Sequence, residues 1–129
     1  SFKAAASLAR ARAKRDDPGV RAQAQLLLGE SELKQKRAGP ALQAFRAAAE
    51  ASADDAAVRY RALAGAGLAL EEQGKLSEAI RYYDQVAADC PDKELRAWAR
   101  TRKTAVAAQL KPQPAPEKPA PKPRAVAPR

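Results

Sequence analysis

The chain has 129 residues, with 24 Lys and Arg against 15 Asp and Glu, no His, no Met and a single Cys. That inventory excludes a zinc site of Cys/His type, a disulfide framework within one copy and catalysis by a His base on Ser or Cys, so neither metal nor cofactor is expected. Alanine supplies most of the 46% hydrophobic content and aromatics only 5%. A thin, alanine-rich core predicts helices packed on helices, because small side chains let backbones approach and alanine has the highest helix propensity.

In chain order, residues 2 to 14 are expected to form a helix with Phe2, Ala5, Leu8 and Ala9 as a narrow apolar strip. The opening Ser1-Phe2-Lys3, without a start methionine or signal-peptide pattern, reads as that of a mature product or an excised fragment. Asp17 with Pro18 just inside predicts a helix start, and Val20, Ala24, Leu27, Leu28 and Glu32 continue it. Its end is expected at Lys36-Arg37-Ala38-Gly39, with cations in the last turn and glycine at the C-terminal position. Pro40 then opens a second helix carrying Ala41, Leu42, Phe45, Ala48 and Ala49 and ending near Ser52. Asp54 and Asp55 cap a third through Val58, Leu63, Ala66 and Leu70, broken at Gly74. The fourth carries Ala79, Ile80, Tyr83 and Val86 and stops at Cys90-Pro91. Asp92 caps the last, Lys93 to Leu110, with Leu95, Trp98 and Val106 available for packing.

From Lys111 onward proline recurs at nearly every second or third position, which removes amide donors and forbids helix. Residues 111–129 therefore read as a disordered, basic, polyproline-II-prone tail able to extend roughly 50 Å at about 3.1 Å per residue. It holds five cations against Glu117 alone. As a spacer it would hold the domain away from an anchor, as a ligand it would offer Pro116-Glu117-Lys118-Pro119 to an aromatic groove, and as a cationic brush it would lean on an anionic surface. No apolar run is long enough to span a bilayer.

The punctuation before the tail repeats. Asp16 recurs as Asp54 and Asp92, Val20-Arg21 as Val58-Arg59, Gly29 as Gly67, Ala41 as Ala79 and Phe45 as Tyr83, all 38 residues apart. Leu63, Ala66-Gly67, Leu70, Gly74, Ala79, Tyr83 and Pro91 resemble the signature of the tetratricopeptide repeat family, which Leu28-Gly29, Ala41, Phe45 and Ala48 carry more weakly. The spacing is longer than the family's usual period of about 34. The longer form is similar to repeats in bacterial envelope proteins such as the Tol-Pal coordinator and outer-membrane assembly lipoproteins. The first unit departs from the pattern at Gln25, at Lys36 in place of the inter-helix glycine, and at Ala53 in place of the closing proline.

The resemblance implies an all-α fold: α-hairpin repeats forming a short right-handed superhelix over residues 1–110, with units near 17–53 and 55–91 and flanking helices 2–14 and 93–110. It also implies a non-catalytic scaffold or adaptor of the periplasm or cell envelope, either homo-oligomeric or part of a larger complex. First helices line the concave face in this family and bind a peptide or helix of a partner protein. Carried onto this sequence, that face shows Gln23, Leu26, Glu30 and Leu33 from one unit, Arg61, Ala64, Leu68 and Glu71 from the next, and Arg102, Val106 and Gln109 from the last helix. Leu26, Leu33 and Leu68 are not demanded by the repeat core, so as a group they are expected either to meet an apolar partner segment or to pack on the N-terminal helix or a second copy.

Other features read more plainly. Glu30, Glu32, Glu71 and Glu72 lie on amphipathic helices beside Arg or Lys and form a solvated charged face rather than acid-base pairs. Gly65-Ala66-Gly67 falls inside a helix and is no phosphate loop. Cys90 reads as a small half-buried thiol. The scattered cations leave a second functional reading, a basic module for nucleic acid or another anionic polymer, although no aromatics are interleaved with them and no recognition helix is evident.

Overall fold

The computed structural model describes Lys3, Ala4 and residues 17–110. Five helices occupy the continuous stretch: α1 (Pro18–Lys34), α2 (Ala38–Ala51), α3 (Ala56–Glu72), α4 (Leu76–Asp89) and α5 (Lys93–Leu110). The chain is all-α, and no strand occurs among the described residues. Of the expected N-terminal helix only Lys3 and Ala4 are described, and both are helical. The rest of it, and the tail 111–129, lie outside the described residues.

Helix starts follow the expected caps. The Asp17 carboxylate accepts the Gly19 amide at 2.9 Å, Asp55 accepts the Val58 amide at 3.2 Å, and Asp92 accepts the Glu94 amide at 2.9 Å. Each satisfies an amide that the first turn leaves without an intrahelical partner. The end of α1 differs from expectation. The helix stops at Lys34, the left-handed residue is Lys36 and not Gly39, and α2 already begins at Ala38 with Gly39 and Pro40 in its first turn. Pro40 loses nothing there, since first-turn amides have no helical acceptor.

Each helix packs on its chain neighbour, and α1 also packs directly on α3. Two aromatic side chains, both buried, organise the interior. Phe45 of α2 lies against Gly29 of α1, where an added Cβ would come within 2.7 Å of the ring, and against Gly65 of α3, where it would overlap outright. Tyr83 of α4 covers Gly67 of α3 in the same way and meets Trp98 of α5 edge to face, with ring centroids 5.7 Å apart. Large rings thus fill the space that missing side chains open, which is how an alanine-rich chain reaches interior packing density. Leu70, Val86, Val106, Cys90 and a row of alanines complete the core. Cys90 is fully buried rather than half-buried.

Candidate functional site

Helices α1, α3 and α5 contribute one wall each to a run of three clefts. The first, about 1010 Å³, lies between the starts of α1 and α3 and is lined by Gln23, Leu26, Glu30 and Arg61 among others. The second, about 270 Å³, is walled by Leu33, Ala64, Leu68, Leu95 and Trp98, with Phe45 and Gly65 beneath. The third is lined by Leu33, Leu68, Glu71, Glu72 and Arg102. Shared residues make the run continuous: Glu30 and Arg61 belong to the first and second clefts, Leu33 and Leu68 to the second and third.

The apolar middle therefore lies between two ion pairs. Arg61 of α3 reaches Glu30 of α1 at 2.6 Å, with both side chains well exposed, so the pair contributes at most about 1 kcal/mol. Arg102 of α5 grips Glu71 of α3 through two bonds, Nε to Oε2 at 2.8 Å and Nη2 to Oε1 at 2.9 Å. The Tyr83 hydroxyl donates to the same Glu71 carboxylate from the core side. Burial pushes the Tyr83 hydroxyl far above its ordinary pKa of 10.0, helped by its bond to Glu71 and the carboxylate's charge and opposed by Arg102. The hydrogen bond to Glu71 likewise raises the pKa of Arg102, against the effect of burial. Two charges that already neutralise each other at each end leave the slot suited to an uncharged, apolar side chain.

Nine of the eleven expected face residues line this run: Gln23, Leu26, Glu30, Leu33, Arg61, Ala64, Leu68, Glu71 and Arg102. Leu26 and Ala64 are nonetheless mostly buried and serve the core as well. Val106 does not belong to the face. It is fully buried with Ala99 on the stripe of α5 that packs on α4, because α5 leans on α4 and does not close onto α3 as α3 closes onto α1. Gln109 is exposed and lines none of the three clefts. Leu95 and Trp98 were expected as packing residues of α5 and prove to be walls of the groove. Trp98, the one tryptophan of the chain, does both, since it touches Tyr83 and still stands 37% exposed. Val20 and Leu27, exposed along the first cleft, were missed as surface features because their apolar character fitted a buried stripe.

Among the described residues no group of three His, Cys, Asp or Glu side chains stands where it could hold a metal ion. No described helix is long and apolar enough to cross a membrane. Chemically the arrangement offers contact surface and fixed charge. Comparison with known protein families, with curated proteins and with solved structures finds no match, so the groove itself carries the functional reading.

Proposed function

We propose that this chain is a tetratricopeptide-like interaction module without catalytic activity, in which first helices of successive hairpins, wound as a short right-handed superhelix, bind an apolar peptide or helix of a partner protein. A bacterial envelope complex is the setting that the long repeat period favours. The observation that carries this reading is the slot between α1, α3 and α5, where Leu33, Leu68, Leu95 and Trp98 face open space between two self-neutralised ion pairs. Apolar walls gain from desolvation by a partner, at about 25 cal/mol per Å² removed from water. Arg37, Arg46, Arg61, Arg102 and Lys103 of the body are engaged by carboxylates, which weighs against a polyanion as the ligand.

The test is to select peptides from a random displayed library on the full chain and to measure their affinity for the wild type and for Leu68→Glu. Leu68 is only partly buried, so helicity by circular dichroism should survive. Selected peptides are expected to carry paired large apolar residues, to bind with little dependence on salt, and to lose at least tenfold in affinity to Leu68→Glu. Acidic peptides whose binding falls steeply with salt and ignores Leu68→Glu would instead identify the basic module.

A further inference from the structure

We propose that residues 1–16 dock as an additional helix on the outer face of α1, filling the first cleft with their cations toward its carboxylates. The inference is independent of what binds in the slot.

The unpaired state of α1 is measurable against its own repeat. Helix α3 receives α2 on its outer side, with Phe45 set over Gly65, and its Val58 is only 7% exposed. The residues 38 positions earlier on α1 are Leu27, matching Gly65, and Val20, matching Val58. They are 40% and 36% exposed. Two large apolar side chains thus stand in water at positions that the second unit covers. Beside them, the cleft collects Asp17, Glu30 and Asp55 against a single cation, Arg61. An occupant must be apolar along one strip, basic overall, and able to begin or end beside Asp17.

Residues 1–16 meet each condition. They end at Asp16, one bond from the rim of the cleft, and carry Lys3, Arg10, Arg12, Lys14 and Arg15 against one carboxylate, Asp16. Lys3 and Ala4 are helical. Ala4, Leu8 and Ala11 repeat the spacing of Ala41, Phe45 and Ala48, the buried stripe of α2. In that register Leu8 takes the place of Phe45 and Leu27 that of Gly65. A middle-sized side chain against another replaces a large ring against none, which conserves combined volume and suits close packing. With the segment seated, the first cleft is closed and a partner is confined to the slot between the two ion pairs.

A nitroxide on Ser7→Cys in the full chain tests this, because Cys90 is buried and spared by mild labelling. The expected result is loss of the amide resonances of residues 20–27 through proximity to the label, persisting when labelled chain is diluted with unlabelled chain. The resonances should return in Leu27→Asp and equally in Leu8→Asp, with helicity unchanged. Loss that appears only between differently labelled molecules in a mixture would show a second copy on this face and overturn the proposal. Undiminished resonances in the wild-type background would show the face open and overturn it as well.

Discussion

Lys36 and Gly74, 38 residues apart, share a left-handed backbone with φ of 64° and 77°, each closing the first helix of a hairpin. The hydrogen bonds correspond. The Lys36 amide donates to the Leu33 carbonyl and Arg37 to Glu32, just as Gly74 donates to Glu71 and Lys75 to Leu70. The turn geometry is therefore conserved where the residue that suits it is not. A β-carbon in this region costs about 1–2 kcal/mol, which glycine avoids. Lys36→Gly should stabilise the chain by about 0.5–1 kcal/mol, the gain being reduced by the greater freedom of glycine when unfolded. Gly74→Lys should do the reverse, and the loss is conformational only, since nothing lies within 4 Å of a Cβ at Gly74. Urea midpoints of the two variants moving in the same direction would contradict the assignment.

Gly67→Ala removes a helix-interior glycine and on propensity alone would gain about 1 kcal/mol. Overlap with the Tyr83 ring reverses the sign, and a net loss of about 1–3 kcal/mol is expected from overpacking. Gly65→Ala should behave alike against Phe45, and Phe45→Leu should restore part of that loss in the double variant. Thermal melts of the four chains check it, with a stabilised Gly65→Ala as the outcome that rules out the close approach.

Glu71, Arg102 and Tyr83 occupy, one repeat later, the positions of Leu33, Ala64 and Phe45. The first unit thus has an apolar trio where the second has a hydrogen-bonded one. Glu71→Leu alone leaves the Tyr83 hydroxyl buried without its acceptor and Arg102 without its carboxylate. A loss of about 2 kcal/mol is expected, limited because Arg102 is 44% exposed. The triple variant Glu71→Leu, Arg102→Ala, Tyr83→Phe should recover most of that loss, because no buried polar group is then unpaired. Denaturant midpoints of single and triple variants decide it.

The raised pKa of Tyr83 gives a pH dependence of known sign. Unfolded, the hydroxyl ionises near its ordinary value of 10.0, while in the fold it stays protonated well above that. Above pH 10 the unfolded state thus binds fewer protons than the native one, and stability falls as pH rises, at up to about 1.4 kcal/mol per pH unit for one group. The contribution is fully present below pH 10. Tyr83→Phe should flatten this slope by up to one proton relative to wild type in denaturation curves taken from pH 9 to 11. Parallel slopes would mean that Tyr83 is not sequestered.

Much of the architecture was legible because its causes are local. Asp17, Asp55 and Asp92 cap the helices they were expected to cap. The repeated Gly and aromatic positions foretold which backbone would meet which ring. Gly39 misled because glycine marks a helix end only when the chain needs a left-handed residue there, and Lys36 had already supplied it. Most face residues were readable from one repeat period. Val106 and Trp98 were not, because the rotation of α5 depends on which neighbour it leans against, and the repeat pattern holds no copy of the helix that would have fixed it.

Composition, caps and the period of 38 were enough by themselves to make this chain a series of helices with small residues at their crossings, since propensity, hydrogen-bond satisfaction and side-chain volume act over a few residues. Tertiary structure alone decided that Glu71, Arg102 and Tyr83 join three helices, that Trp98 turns partly outward, and that Val20 and Leu27 are left uncovered. Those outcomes depend on the relative placement of helices far apart in the chain, which sums many weak contacts that no local pattern encodes.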